Sequence, residues 1–287
     1  MAERRRSSSI PPAVGKKSVV FYCCLAAVLL FTACLLVRQK GGVPREWVSR
    51  LPTSLQSATT KGRRQGGRFK DAEEKLVDLS KKMNETLHQL ATLQCLLKNT
   101  TGVATSSGAY CHAMNTTGHV TDDSLADYFR TLLNGKRVAS FGDGLGYYKE
   151  LVEKAVEVYD SYDGAPDSYE ASKRRTRYLD LSQPHYFLPA YDVVISMEVA
   201  EHIPAQFEST FVDNLVRFAT EAVILSWARL EQGGFQHVNN RPFDYVNATM
   251  KKRGFSHVAN ESEDLKNAST APWLKNNINY YVRDRDP

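Results

Sequence analysis

The longest apolar run in the chain lies near its N-terminus. Residues 18–37, "SVVFYCCLAAVLLFTACLLV", include no charged side chain. As a helix with a rise of about 1.5 Å per residue this run would be ~30 Å long, which is the thickness of a bilayer's hydrocarbon core. A cleaved signal peptide usually has a shorter apolar stretch and a small-residue cleavage site. The pattern predicts a retained transmembrane signal anchor at 18–37, preceded by a cytosolic tail at 1–17.

A heptad pattern follows the anchor. Residues 38–67 are rich in Gly, Ser, Thr, Arg and Gln without an apolar period, which predicts a flexible stem. From Phe69 to Leu97 apolar residues recur at alternating steps of three and four, broken only by Thr86, which predicts a coiled-coil helix over 68–98. A homodimer through this stem is the preferred interpretation. A single helix folded onto the body is the alternative.

Beyond residue 104, short buried strands alternate with amphipathic helices. The predicted strands include "KRVASFG", "VEVYDSYD", "TRYLDLS", "YDVVISM" and "EAVILSWA". This order predicts an α/β domain over 104–287, with a mainly parallel sheet covered by helices on both faces. A segment of roughly 180 residues is long enough for one such domain.

The charge of the chain is unevenly distributed. The total is +5 and the isoelectric point is about 8.8, but residues 1–70 alone carry +12, which leaves −7 for the rest. Nucleic-acid-binding domains have a basic surface. The predicted globular part is acidic, so we expect no nucleic-acid partner.

Six sequons lie after the predicted anchor and none lies before it. Their asparagines are Asn84, Asn99, Asn115, Asn247, Asn260 and Asn267. The motif is short and can occur by chance, but this one-sided distribution favours a luminal C-terminal part. The chain is therefore expected to be a single-pass type II membrane protein of the Golgi or endoplasmic reticulum. Of its cysteines only Cys95 and Cys111 would be luminal, either as one disulfide or as two free thiols.

Three strand ends carry residues suited to ligand binding. The first strand runs into "SFGDGLGYY", whose Gly142, Gly144 and Gly146 permit a tight turn close to a ligand. The second strand ends at Asp163, nineteen residues after Gly144, and a carboxylate at that spacing can accept both hydroxyls of a ribose. The fourth strand runs into "YDVVISMEVAEHIP". In doubly wound sheets such ends meet at one crevice.

Together these motifs resemble the class I S-adenosylmethionine-dependent methyltransferases. "VASFGDGLG" resembles the first motif of the family, "LDL" around Asp180 its adenine-contacting acid, and "YDVVISMEVAEHIP" its fourth motif. The resemblance implies a Rossmann-like seven-stranded domain. It also implies S-adenosylmethionine as cofactor, bound by Gly142, Asp143, Gly144, Gly146, Asp163, Asp180, Leu181 and Ser196. Ser140 stands where the family usually has an acid, and Asp143 could compensate.

The fourth motif also carries the candidate catalytic residues. Glu198, Glu201 and His202, with the later His237, resemble the Glu-x-x-Glu-His element and later histidine of small-RNA 2′-O-methyltransferases; ubiquinone-pathway O-methyltransferases have a similar Glu-x-x-Glu-His. If a helix begins near Glu198, then Glu198, Glu201 and His202 lie on one face of that helix. The four side chains could ligate Mg²⁺, Mn²⁺ or Zn²⁺. His202 or His237 as a plain general base is an equal alternative, and a purely structural role is the third.

The expected function is O-methylation of a hydroxyl on a glycan or glycoconjugate in the secretory pathway. The alternatives are a small-molecule O-methyltransferase that acts on a phenol or a lipid, and an inactive methyltransferase fold that serves as a binding or scaffold protein. The glycan acceptor follows only from the expected compartment and from the resemblance to small-RNA 2′-O-methyltransferases, in which a metal bridges the ribose diol that is methylated. Titration with the cofactor separates the enzymes from the scaffold.

Overall fold

The computed structural model describes residues 65–98, 104–113 and 121–284. The predicted cytosolic tail, the anchor at 18–37 and the stem up to residue 64 lie outside these ranges. No helix within the ranges is long and apolar enough to cross a membrane. The chain divides into two compact units, 1–76 and 77–287, and the described part of the first is the start of one helix.

The described residues include eight α-helices and seven strands. The helices are α1 Gln65–Lys98, α2 Asp123–Leu132, α3 Tyr147–Val152, α4 Ser168–Ala171, α5 Glu208–Phe218, α6 Phe243–Lys251, α7 Ala259–Ala268 and α8 Leu274–Asn277, with a 3₁₀ turn at Ala205–Phe207. The strands are β1 Arg137–Phe141, β2 Val158–Asp163, β3 Thr176–Tyr178, β4 Tyr191–Ser196, β5 Ala219–Ser226, β6 Phe255–Val258 and β7 Ile278–Arg283.

All seven strands form one sheet in the order β3-β2-β1-β4-β5-β7-β6. Neighbouring strands from β3 to β5 pair in parallel, and β7 runs antiparallel to both β5 and β6. The chain order reverses between β1 and β4, which makes their carboxyl ends the switch point where doubly wound sheets bind ligands. The mainly parallel sheet predicted from the sequence is confirmed.

The apolar strands are buried because helices cover both faces of the sheet. Successive residues of β4 point to opposite faces, so Val194 packs into one cluster, whereas Val193 and Ile195 pack into the other. The first cluster includes Phe211 of α5, and the second includes Phe129 of α2. Both faces of the central strands are therefore covered by apolar side chains from the helices.

The second half of α1 packs on the α/β body. Ser80, Ala91 and Cys95 are buried, whereas the predicted heptad leucines Leu79, Leu90, Leu93 and Leu97 are exposed. The predicted helix is confirmed, but residues 77–98 belong to the compact unit of the body rather than to a separate stem, and residues 65–67 begin the helix instead of ending a flexible segment. Pairing of the exposed leucines in a coiled coil stays a prediction.

A disulfide ties α1 to the segment that follows it. Cys95 is bonded to Cys111, with their Cα atoms 5.4 Å apart. Of the two possibilities for these cysteines, the structure contains the bond. The bond is intramolecular, and it fixes residues 104–113 beside the sheet.

Asp122 joins the start of α2 to the C-terminal part of the chain. Its carboxylate caps α2 by accepting the N–H of Leu125 at 3.2 Å, and it accepts the Ser269 hydroxyl at 2.7 Å and the Ala271 N–H at 2.9 Å. Burial opposes ionisation of this carboxyl, but the hydrogen bonds outweigh it and lower the pKa of Asp122. Asp122 is thus both the N-cap of α2 and a clasp to residues 269–271.

We expect Asp122→Asn to destabilise the fold by about 1–3 kcal/mol at neutral pH, since it weakens several charge-assisted hydrogen bonds. Because the folded-state pKa lies below the unfolded value of about 3.9, this stabilisation is present above that pH and disappears as the pH falls through the folded-state pKa. Urea unfolding as a function of pH measures the difference. The exposed neighbour Asp123→Asn is the control, and equal effects of the two variants would contradict the clasp.

Candidate active site

The candidate site is a cleft at the carboxyl ends of β1, β2 and β4. Two cavities meet there, and both are lined by Gly142 and Glu198. The first cavity extends toward Asp163 and Asp180, and it also reaches His202. The second is lined by Ser140, Asp143, Tyr148, Met197 and Trp273, among others. An elongated ligand that crosses Gly142 would occupy both.

The glycine turn after β1 brings the backbone close to its neighbours. Gly142 has a φ of +85°, and a Cβ at this position would lie 2.2 Å from Cγ2 of Val199. Gly144 donates its N–H to Oδ2 of Asp163 at 2.9 Å. Gly146 is the N-cap of α3 and has a left-handed backbone conformation. A Cβ at this position would lie 2.8 Å from the Thr176 hydroxyl. Of these predicted cofactor residues, Gly142 lines the cleft, Gly144 supports Asp163, and Gly146 serves packing against β3.

Asp163 is held by backbone groups at the end of β2. One carboxylate oxygen accepts from Gly144 and the other accepts from the N–H of Ala165 at 2.8 Å. Each carboxylate oxygen has more than one acceptor position. Asp163 lines the first cavity and can therefore accept further donors from a ligand, such as the two hydroxyls of a ribose.

Asp180 and Leu181 lie farther along the first cavity, after β3. Oδ1 of Asp180 accepts the N–H of Ser182 at 2.9 Å. Burial raises the pKa of the Asp180 carboxyl, although the hydroxyls of Ser182 and Ser107 oppose this by favouring the charged form. A buried acceptor beside the apolar Leu181 suits the amine and the flat ring of a purine.

The second cavity contains the acid that the first motif lacks at position 140. Ser140 is buried, and Asp143 lines the same cavity with its Oδ2 buried and without a hydrogen-bond partner among the residues that the structure describes. Burial raises the pKa of Asp143 to about 7. Hydrogen bonds from the Ser161 and Ser140 hydroxyls favour the charged form and only partly offset this increase. Asp143 thus brings a carboxyl group next to Ser140, as the sequence suggested.

Ser196 does not face the cleft. It is completely buried, and its hydroxyl donates to the carbonyl oxygen of Phe141 at 2.8 Å. It lines neither of the two cavities. The sequence analysis assigned Ser196 to the cofactor; instead it joins the ends of β4 and β1, because its side chain points to the interior of the sheet.

Glu198 is bonded to the end of β5 and is not a member of the group formed by the other three candidate catalytic residues. Its φ is +56°, its N–H donates to Oγ of Ser226 at 2.7 Å, and its Oε1 accepts from the same hydroxyl at 2.8 Å. Oε1 also accepts from Nδ2 of Asn277 at 3.1 Å. The helix expected to begin near Glu198 does not form, and the next helical residues are the 3₁₀ turn at Ala205–Phe207. Hydrogen bonding to the end of β5 therefore fixes the Glu198 side chain, although its carboxylate lies close enough to repel that of Glu201.

The remaining three residues come together. One ligand atom from each of Glu201, His202 and His237 lies within 4.8 Å of the others. Nε2 of His237 is 3.9 Å from Oε1 of Glu201, and the two imidazole rings are 5.0 Å apart. The loop that carries His237 is held in place by the N–H groups of Val238 and Asn239, which both donate to the Glu201 carbonyl oxygen at 2.9 Å.

Backbone carbonyls orient both imidazoles. Nδ1 of His237 is 3.2 Å from the carbonyl oxygen of Gln232, and Nδ1 of His202 is 3.2 Å from that of Gln236. A carbonyl oxygen can only accept, so each Nδ1 carries the hydrogen and each Nε2 has the lone pair of the neutral ring. The Nε2 atoms are thus the basic or metal-binding nitrogens.

Glu201 is a buried acid next to His237. Its side chain is fully buried, and neither carboxylate oxygen has a hydrogen-bond partner within the described part of the chain. Burial raises the pKa of Glu201 well above its ordinary value, and repulsion from the nearby Glu198 carboxylate adds to the effect. Such a group is stable either protonated or beside a cation.

Tyr110 covers this cluster and was not identified from the sequence. Its hydroxyl donates to the carbonyl oxygen of Phe235 at 3.1 Å and is 3.4 Å from Nδ1 of His202, while its ring stacks on Phe235. Burial and the charge of Glu201 raise the pKa of Tyr110 to about 12, so the hydroxyl stays protonated. The only sequence signal for this placement was the pair Cys95 and Cys111, which draws the Tyr110 segment to the sheet.

Comparisons with known proteins give only distant matches. No family model matches the chain, and no curated protein matches it. Similar solved structures include magnesium protoporphyrin IX methyltransferase (ChlM) from Synechocystis PCC 6803 with bound SAH, with 18% identity over 56% of this chain and 81% of that chain and a TM-score of 0.45. The methyltransferase domain of bacterial CtHen1-C has 17% identity over 56% and 96%, with a TM-score of 0.42.

A third similar structure is the N-methyltransferase NodS from Bradyrhizobium japonicum WM9 with SAH, with 12% identity over 56% of this chain and 84% of that chain and a TM-score of 0.42. The chain has a seven-stranded, mainly parallel α/β fold with an antiparallel last strand, as its strand order and pairing show. At such low identity these structures do not assign it an activity.

We expect Gly142→Ala to be strongly destabilising, because its Cβ would overlap Val199 and because a left-handed alanine costs about 1–2 kcal/mol. The double variant Gly142→Ala with Val199→Ala should recover the part caused by the overlap and retain the backbone part. Thermal unfolding of both single variants and the double variant measures this coupling. Strictly additive losses would contradict the close approach of Val199 to Gly142.

Proposed function

We propose that the protein is an S-adenosylmethionine-dependent methyltransferase that methylates a hydroxyl group. The observation that carries this proposal is that one cavity is lined by Asp163, Asp180 and His202. A single crevice therefore offers acceptors for a nucleoside and an imidazole next to it. This combination is what methyl transfer to an oxygen requires.

Residues of the chain would bind the cofactor along the cleft. Asp163 would accept the ribose hydroxyls, and Asp180 the adenine amine, while Leu181 would contact the ring. Asp143 beside Ser140 would face the charged amino-acid end in the second cavity. When bound, the cofactor supplies a methyl group that its sulfonium already activates, so the protein mainly has to orient the acceptor.

The acceptor hydroxyl must also lose its proton, and the imidazoles would accept it. Their Nδ1 hydrogens are held by the carbonyls of Gln232 and Gln236, so Nε2 of His237 or His202 is the proton acceptor. The neutral imidazole is a suitable base near neutral pH. Tyr110 and the carbonyls would hold His202 in this tautomer.

A divalent cation at Glu201, His202 and His237 is the second part of the proposal. The buried, unpartnered oxygens of Glu201 fit a cation, and imidazoles whose Nδ1 hydrogens are bonded to carbonyls are typical of metal ligands. Mixed nitrogen and oxygen ligands suit Mn²⁺ or Zn²⁺ better than Mg²⁺. A bound ion would lower the pKa of a hydroxyl or water beside it. Glu198 is left out of this proposal because its Oε1 already accepts from Ser226 and Asn277.

We propose that the enzyme acts in the secretory pathway. The apolar run at 18–37 and the sequons support a type II protein of the Golgi or endoplasmic reticulum with a luminal body. The Cys95–Cys111 bond supports the same compartment, because disulfides persist in oxidising environments. The exposed heptad leucines of α1 support a homodimer.

The proposed acceptor is a sugar hydroxyl on a glycan or glycoconjugate. A phenol or a lipid at the membrane surface is the alternative substrate, and an inactive scaffold is the alternative to an enzyme. Incubation of the full chain with the cofactor and panels of glycans, phenols and lipids, read by intact-mass analysis, distinguishes the acceptors. A methylated phenol or lipid without a methylated glycan would replace the preferred acceptor.

We expect the full chain, purified in detergent, to bind S-adenosylhomocysteine in isothermal titration calorimetry. Asp163→Ala should weaken this binding by about 1.5–3 kcal/mol, the range for hydrogen bonds to a charged group. Glu157→Ala, an exposed acid just before β2, is the control. Absence of binding by the wild-type chain at millimolar ligand would contradict the methyltransferase and favour the scaffold.

For the metal, we expect the wild-type chain to bind one Mn²⁺ or Zn²⁺ in equilibrium dialysis with atomic absorption. Glu201→Gln and His237→Ala should each lose most of this binding, because each removes one ligand. His112→Ala, whose imidazole bonds Asp167 outside the cluster, should bind as the wild type does. Equal metal content in all four proteins would remove the metal and leave the histidine base.

A further inference from the structure

Asn84 belongs to a sequon, but its side chain is engaged with the body of the protein. Its Nδ2 donates to the carbonyl oxygen of Tyr178 at 3.1 Å, and its Oδ1 accepts the N–H of Asp180 at 3.2 Å. Both backbone groups lie at the end of β3. The sequence analysis considered Asn84 only as an attachment point for a glycan.

The two bonds complete the edge of the sheet. β3 is the first strand in the sheet order and has a neighbour on one side only, β2. Leu179 donates its N–H to the carbonyl oxygen of Asp163 on that side. The Tyr178 carbonyl and the Asp180 N–H point to the open side, where an edge strand leaves unpaired groups. The Asn84 amide pairs with both, as a neighbouring strand would.

Other contacts of α1 hold the same segment. The His88 ring stacks on Tyr178 with ring centroids 4.3 Å apart, and the Ser80 hydroxyl accepts the N–H of Tyr186 at 3.0 Å. The disulfide of Cys95 ties α1 to the segment that contains Ser107, whose hydroxyl favours the charged form of Asp180. Helix α1 thus contacts the Asp180 backbone directly, and the disulfide joins it to the segment that contacts the Asp180 carboxyl group.

We propose that Asn84 is a positioning residue of the adenine subsite. It fixes the backbone on both sides of Leu179, so that the Asp180 carboxylate accepts the adenine amine in the first cavity. This inference rests on the proposed function, because it requires the first cavity to bind the cofactor. The inference makes α1 part of the cofactor site. It also implies that the hydrogen bond between Asn84 and the Asp180 N–H helps the protein to distinguish adenine from other bases.

A consequence is that the Asn84 sequon is unoccupied in the folded enzyme. A glycan is attached through Nδ2, and the substituent of a trans amide takes the side next to the oxygen. That side of the Asn84 amide faces Tyr178 and Asp180. A glycan there would displace β3 from the helix.

The test compares two ligands and two variants of the full chain. S-adenosylhomocysteine has the adenine amine, and S-inosylhomocysteine has an oxygen in its place. Asn84→Ala removes the amide and the sequon. Thr86→Ala removes only the sequon, since Thr86 is exposed and its hydroxyl bonds the Lys82 carbonyl within the helix. Calorimetry measures both affinities for each protein, and intact mass before and after removal of N-glycans measures occupancy.

We expect the wild type and Thr86→Ala to prefer the adenine ligand equally and to carry the same number of glycans. Asn84→Ala should bind S-adenosylhomocysteine about tenfold more weakly, the effect of one lost polar contact. Its affinity for the inosine ligand should change much less, so the preference falls. A purely structural loss would weaken both ligands equally.

Should Asn84→Ala fail to fold, Asn84→Asp retains an acceptor for the Asp180 N–H and should show a smaller loss of the same preference. An unchanged preference in a folded Asn84 variant would overturn the inference, as would a glycan on Asn84 of a wild-type chain that binds the ligand. A wild-type chain that binds neither ligand would overturn the proposed function together with this inference. The two failures are thereby distinguished.

Discussion

The site depends on the carboxylate of Asp163 and the backbone that holds it. The N–H groups of Gly144 and Ala165 each bond one of its oxygens, so the glycine turn after β1 and the end of β2 form one rigid unit. This unit borders the switch point between β1 and β4, the place where a sheet of this order leaves a crevice. Because Gly142 has no side chain, a ligand in the crevice can contact its backbone directly. Every proposed role of a side chain is defined by its position relative to this carboxylate.

The other decisive constraint is the burial of Glu201. A protein that keeps an acid fully buried with both oxygens unpartnered gives up stability unless a proton or a cation joins it. The two imidazoles beside it have their Nδ1 hydrogens directed to carbonyls, so the Nε2 atoms are the basic nitrogens of the neutral rings. One arrangement therefore serves both proposed mechanisms, a histidine base and a metal centre, and only the proton or cation at Glu201 separates them.

The sequence predicted the fold and most of the cleft, because strand periodicity and glycine spacing are local signals. The mainly parallel sheet and Asp163 followed from such signals, whereas Asp180 and the grouping of His237 with Glu201 followed from the family resemblance. Glu198 and Ser196 differ because their directions are set by bonds to Ser226 and Phe141, on other strands. Asn84 and Tyr110 were missed because the contacts of α1 join residues far apart in the chain. The heptad pattern identified α1 as a helix, but it described the face that the body does not use.

A crystal structure of the full chain with bound S-adenosylhomocysteine tests the central claim most directly. The account predicts the ribose hydroxyls on Asp163, the adenine amine on Asp180, and the sulfur over Gly142 on the side of His202. A ligand bound elsewhere, or a cleft that stays filled by Val199 and the segment around Tyr110 at saturating ligand, would contradict it.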